Sequence, residues 1–178
     1  MKRMNQMFWD TARKFHGHEC PGLAIGVKAC EAAVEKMGVM SSEDEELVCV
    51  TENDACGVDA VQAILGCSLG KGNLLYHSTG KMAFNFFDRR SGKKLRVCLK
   101  ARNSGMEREA YMNYLLQAPV DEIFSFGDPK MELPPKAGRF PSIPCEICGE
   151  AAPEHKMRLQ DGKKVCLDCF HDYSRGWK

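Results

Sequence analysis

Leu23, Val27, Cys30, Val34 and Met37 follow one another at intervals of four and three, which puts all five on one face of a helix. Pro21 suits the first turn of that helix, where an N–H would have no partner, and Gly38 supplies its stop. A shorter helix is expected from Phe8 to Lys14, ended by the run His16-Gly-His-Glu-Cys-Pro-Gly22. Val58 to Leu65 makes a third helix that stops at Gly66, and Glu107 to Gln117 a fourth that stops before Pro119.

Leu47-Val-Cys-Val-Thr51 is continuous and β-prone, the pattern of a buried strand, so Cys49 belongs to the core. Met82, Phe84 and Phe86 alternate with polar or small residues, as do Leu95, Val97 and Leu99. Asp88-Arg-Arg-Ser-Gly92 between them is a hairpin turn. Glu122 to Phe126 adds an edge strand. The acidic Ser41-to-Glu46 stretch reads as a solvated turn and Gly66 to Asn73 as a glycine-rich loop. Helices cluster early and a hairpin lies in the middle, so the regular strand-helix alternation of a doubly wound sheet is missing. The expected class is α+β: helices packed on a mainly antiparallel sheet over residues 1–140. A small zinc-finger domain follows over 141–178, after a linker marked by Pro129, Pro134, Pro135, Gly138, Pro141 and Pro144.

Composition narrows the chemistry. With 44% hydrophobic and 28% charged residues the chain can bury one core and carry a small module. Lys and Arg total 25 against 24 Asp and Glu, a balance that gives no electrostatic reason for a nucleic-acid or membrane partner. No apolar run approaches the roughly 20 residues that cross a bilayer, and the first residues lack a signal-peptide core, so a cytoplasmic location is expected. In that reducing setting ten cysteines point to metal binding, thiol chemistry or burial and away from disulfides.

Four of the ten form Cys145-Glu-Ile-Cys148 and Cys166-Leu-Asp-Cys169, two Cys-x-x-Cys pairs at the separation of a four-cysteine zinc site. Gly149 suits the tight turn around sulfur. Met157 to Val165 reads as a hairpin with Asp161-Gly162 at its tip, and Leu167 to Tyr173 as a helix opened by the second pair, an order that resembles a treble-clef finger. Four thiolates leave no open position, so this zinc would be structural. The finger's lysines and arginines are read as solvated surface, His155 and His171 with them, and nucleic-acid binding is not expected.

His16, His18 and Cys20 stand at every second position, with Asp54, Cys56 and Asp59 further on and Cys67 at the next glycine turn. Imidazole and thiolate suit zinc, nickel or iron. If His18 and Cys20 are ligands, Cys56 is the natural third, which leaves a position for water or substrate. Helix capping and plain burial are the competing explanations, and the residue types alone leave both open. Cys30 and Cys98 are assigned to packing.

His16-Gly-His-Glu-Cys-Pro-Gly-Leu-Ala-Ile-Gly, Glu52-Asn-Asp-Ala-Cys-Gly-Val-Asp-Ala-Val-Gln, Gly66-Cys-Ser-Leu-Gly-Lys-Gly-Asn-Leu and Gly80-Lys-Met-Ala-Phe together resemble the FmdE family, named for a component of formylmethanofuran dehydrogenase. Ser68 stands where the family pattern has threonine, a change that keeps the hydroxyl. The resemblance implies an α+β core that forms a homodimer, with His16, His18, Cys20, Cys56 and Cys67 around a cavity able to hold metal. It does not imply the dehydrogenase reaction, since nothing here looks like a pterin-binding chain or an iron-sulfur cysteine run. The resulting expectation is a core transition metal (Zn, Ni or Fe) held by His18, Cys20 and Cys56, with Cys67, Asp59 and His16 assisting. A non-enzymatic accessory role, as a subunit or maturation factor of a molybdenum or tungsten formylmethanofuran dehydrogenase-like enzyme with the finger docking that partner, is the alternative, and a nucleic-acid-binding regulator working through the finger is the third and least expected reading.

The loop Gly66 to Gly72 is not a phosphate loop, because Gly70-Lys71 is followed by Gly72 where Ser or Thr is needed. Lys71 and Lys81 are candidates to meet an anionic substrate, and His77 is read as a turn residue near the same cavity.

Overall fold

The computed structural model describes residues 2–100, 105–173 and 175. They form two compact units, 1–137 and 138–178.

In the first unit the helices are α1 (Lys2–His16), α2 (Pro21–Met37), α3 (Gly57–Leu65), α4 (Arg108–Gln117) and the single turn α5 (Val120–Ile123). The strands are β1 (Leu47–Thr51), β2 (Leu74–Tyr76), β3 (Ala83–Asp88), β4 (Lys94–Leu99) and β5 (Phe124–Gly127), in sheet order β2-β1-β3-β4-β5. Every pairing is antiparallel except β1 with β2, where Val50 lies opposite Leu75. This is the expected α+β class. Among the described residues no helix is long and apolar enough to cross a membrane.

The period of two in the strands sorts the sheet's faces. Leu47, Cys49, Phe84, Phe86, Val97 and Phe124 join the helices in the main core, whereas Val48, Val50 and Phe87 gather on the other face with Leu75 and Met131. α2 packs against α1, α3, α4 and β4. It is therefore buried continuously from Leu23 to Ala33, not along one stripe as its periodicity predicts. Gly38 closes it as expected, with φ of 72° and its N–H on the Val34 carbonyl. α1 is longer than expected and carries His16 as its last residue.

Two polar networks in this unit are tied down by several bonds each. Arg96 donates to both oxygens of Glu52 (2.7 and 3.1 Å), and Asn85 and Thr79 add bonds of 3.1 and 2.9 Å. The guanidinium, followed by these side chains, holds the Glu52 carboxyl at about 2 despite burial. Asn73, fully buried, donates to the carbonyls of Asp44 and Leu47 and accepts from the Ser68 N–H. The Ser41-to-Glu46 stretch is thus only partly solvated, for Ser42 is 4% exposed and bonded into this knot. Lys71 Nζ donates to the Ser42 carbonyl at 2.9 Å, so that lysine serves the knot.

The second unit contains two hairpins, β6 (Ser142–Pro144) with β7 (Ala151–Pro153) and β8 (Arg158–Gln160) with β9 (Lys163–Val165). Asp161 and Gly162, at φ of 50° and 76°, make the tip of the second, as Asp-Gly predicts. The helix expected from Leu167 to Tyr173 is not formed: residues 167–169 are a turn, with Cys169 and Phe170 N–H groups on the Cys166 carbonyl. The treble-clef expectation loses its helix. The second pair is built as a knuckle like the first, because both Cys169 and Cys166 must fold back toward one point.

Candidate metal centres

The core cluster is assembled by a backbone contact. Gly22 and Gly26 stand one turn apart on α2 and face Gly57 at the start of α3. A Cβ at Gly26 would sit 2.2 Å from the Gly57 carbonyl oxygen, and one at Gly57 only 3.0 Å from that of Gly22. Only glycine allows this approach. It brings together the residues that precede the two helices, Cys20 and Cys56. A Cβ at Gly22 would lie 3.7 Å from Cys56 Sγ and 3.9 Å from Cys20 Sγ.

Cys20 is the N-cap of α2, 4% exposed, and its sulfur accepts the Leu23 N–H at 3.3 Å. Cys56 precedes α3 and makes no side-chain cap to that helix. His16 arrives from the end of α1, where Gly17 at φ of 88° turns the chain. Its Nε2 lies 3.8 Å from Cys20 Sγ, and its Nδ1 donates to Asp59 Oδ2 at 2.7 Å. Asp59 is fixed in turn by Gln62 at 3.1 Å. A carboxylate on Nδ1 sets the tautomer and aims the Nε2 lone pair at the cysteines, the arrangement of a metal-ligating histidine. His18 is exposed, with its ring centroid 4.2 Å from that of His16. One donor atom from each of His16, His18, Cys20 and Cys56 lies within 4.8 Å of the others.

The Cys56 thiol is pushed up by burial, and then by its hydrogen bond to Cys20 and that neighbour's charge. A divalent cation would supply the compensating charge that two adjacent thiolates need. An open cavity of about 510 Å³ adjoins the cluster, with His16, Cys56 and Asp59 on its polar side and Leu69, Leu74 and Tyr76 among its apolar lining.

The structure does not bring Cys67 to this cluster. That sulfur is fully buried, donates to the Leu47 carbonyl at 3.6 Å, and is pushed up to about 12 by burial. It shares the apolar core with Cys30 and Cys49, whose thiols burial also raises. The expected role of Cys67 beside the metal is corrected accordingly, since a core thiol with that environment stays neutral. His77 is exposed, its N–H on the Thr51 carbonyl, and does not line the cavity. The three glycines are what sequence reasoning misses, although the spacing Gly22-x-x-x-Gly26 is visible along the chain.

In the second unit, one sulfur from each of Cys145, Cys148, Cys166 and Cys169 lies within 4.8 Å of the others, with Cys148 and Cys166 sulfurs 3.9 Å apart. Cys145 Sγ accepts N–H groups from Ile147 (3.5 Å) and Cys166 (3.4 Å). The Cys148 N–H, followed by those of Cys166 and Ile147, holds the Cys145 thiol down at about 6. Gly149 takes φ of 80° where the knuckle turns. Four thiols at this spacing fit a tetrahedral zinc, which would supply the cohesion of the module.

Comparison with known proteins finds a family match for each unit. A family model described as FmdE, molybdenum formylmethanofuran dehydrogenase operon, matches residues 15–125, and one described as a prokaryotic dksA/traR C4-type zinc finger matches 138–175. A probable S-adenosyl-L-methionine-binding protein of Archaeoglobus fulgidus is 32% identical across 91% of this chain, which spans only 52% of that relative. The crystal structure of a tungsten formylmethanofuran dehydrogenase FmdE-like protein from Syntrophus aciditrophicus has the same fold. Its TM-score is 0.69 over 93% of this chain and 91% of that one, at 23% identity.

Proposed function

The chain belongs to the FmdE family, and we propose that its core cluster holds a transition metal (zinc, nickel or iron) that serves a reaction in the adjoining cavity. One observation carries this reading: His16, His18, Cys20 and Cys56 converge to within 4.8 Å, with Asp59 on the far nitrogen of His16. When bound, the ion would supply Lewis acidity. His16, Cys20 and Cys56 are anchored by helix ends and form the fixed part of the site. His18, exposed between α1 and α2, is the donor most easily displaced by a substrate group entering from the cavity. Asp59 orients His16 and keeps its Nδ1 proton in place.

Metal analysis of the full-length protein tests the reading. About two equivalents per chain are expected for the wild type, with the core ion lost in Cys56→Ser and the finger ion lost in Cys166→Ser. One equivalent that vanishes with Cys166→Ser and is untouched by Cys56→Ser would sink it.

A second reading is favoured by the family description, which names a molybdenum formylmethanofuran dehydrogenase operon. In it the chain is a homodimeric, cytoplasmic accessory protein of such an enzyme, and the finger is the docking module. Co-purification of a molybdenum or tungsten enzyme with the tagged chain, lost on deletion of 138–178, would support it. Sedimentation of the purified chain as a monomer would remove the dimer.

A further inference from the structure

Within the stretch of α2 that is buried without interruption, two residues are charged. Lys28 is 2% and Glu31 is 4% exposed, and their side chains form an ion pair one turn apart. An apolar pair of the same size would cost less to bury, so the charges call for a reason other than stability. They do not reach the metal cluster or its cavity. They line a separate and larger one, about 970 Å³, between α1, α2 and the α4–α5 corner.

The cavity's charge pattern is specific. Glu31 is the only partner of Lys28 Nζ among the described residues, which leaves ammonium N–H groups unused. Glu31 Oε2 is buried and accepts no well-aligned hydrogen bond despite its nearness to Lys28. Glu35, the next turn of α2, also lines the cavity and is exposed. Asp121 at the rim is already neutralised by Lys36 at 2.7 Å. One cation and two carboxylates therefore face the space, with amide side chains (Asn5, Asn113, Gln117) around them and Trp9 as an apolar wall. A ligand with one charge sign would leave part of this set unpaired, although Lys28 and Glu31 are themselves almost fully screened from water.

We propose that the cavity binds an α-amino-acid group, its carboxylate on Lys28 and its ammonium between Glu31 and Glu35. The volume lies within the range of small-molecule sites, and the mixture of apolar wall and few convergent polar groups is their usual make-up. The site shares no lining residue with the metal-cluster cavity and does not depend on a metal being bound.

The test is titration of the full-length, metal-replete protein with each common L-α-amino acid, followed by calorimetry and by Trp9 fluorescence. At least one should bind, and its N-acetyl and methyl-ester derivatives should each bind about tenfold or more weakly. Replacing the pair together (Lys28→Met with Glu31→Leu) should leave the circular dichroism and metal content unchanged, because such swaps are tolerated, and abolish binding. If that variant does not fold, Glu35→Gln and Asn113→Ala at exposed positions carry the test, each weakening binding several-fold. No binding by any amino acid, equal binding of the blocked derivatives, or undiminished binding by the folded variants would each overturn the proposal.

Discussion

The two cysteine-bearing clusters solve opposite problems. The core cluster has mixed imidazole and thiol donors, hung on the ends of three helices whose own packing, through Phe84, Phe86, Leu23 and Val27, is dense and apolar. The finger cluster has four thiols in a module whose strands are three residues long and whose buried side chains are Cys145, Val165 and Cys166. In the first, the fold makes the site. In the second, the site makes the fold, because so little apolar surface cannot offset the entropy of ordering the chain. A metal ion would thus be an optional guest in one unit and the centre of cohesion in the other.

Cys166→Ser should separate the two units most. Structural zinc contributes about 10–16 kcal/mol in small fingers, so amide protection over 142–165 should vanish while that of α2 and β3 is retained. Protected hairpins in the metal-free finger would void the contrast. Next comes Gly26→Ala, whose methyl would strike the Gly57 backbone. A loss of about 3 kcal/mol in denaturant unfolding is expected, together with loss of metal from the core and none from the finger. Gly38→Ala, strained at φ of 72° but meeting nothing, should cost only about 1 kcal/mol and leave both metals in place.

Part of the core's stability owes nothing to metal. Glu52 has a folded value of about 2 against an ordinary 4.5, so its ion pair stabilises the fold above 4.5 and that contribution fades as pH falls toward 2. With chelator present, Glu52→Gln should be about 2–3 kcal/mol less stable than wild type at neutral pH, and the two melting curves should converge in that window. A gap that persists at pH 2 would show that the loss is one of packing. Asp59→Asn should lower core-metal affinity about 10–100-fold at unchanged fold, with the finger ion as internal standard. Unchanged affinity would mean that Asp59 does not orient His16.

Much of this is legible along the chain. α2 and α3 show in their apolar spacing and glycine stops, β3 and β4 in alternation, and the finger ligands in two short repeats. The gaps have physical causes. β2 is three residues long and pairs in parallel with β1, a non-local contact with no local pattern. Cys67 has a reactive residue type and a motif position, and only burial under the sheet tells it from Cys56. The finger's terminal helix follows from the order of elements alone, whereas the backbone there is committed to wrapping sulfur. His16 reads as an assistant because sequence spacing cannot show which ring nitrogen faces the cysteines.

For the ion proposed in the core, the glycine contact between α2 and α3 would also govern the rate at which it comes and goes. Because backbone rather than side chains sets the separation of Cys20 and Cys56, the core donors stand ready before any ion arrives. Exchange there should run through His18 alone, first order in chelator and indifferent to denaturant. Exchange at the finger should follow the opening of the whole module and accelerate steeply with denaturant.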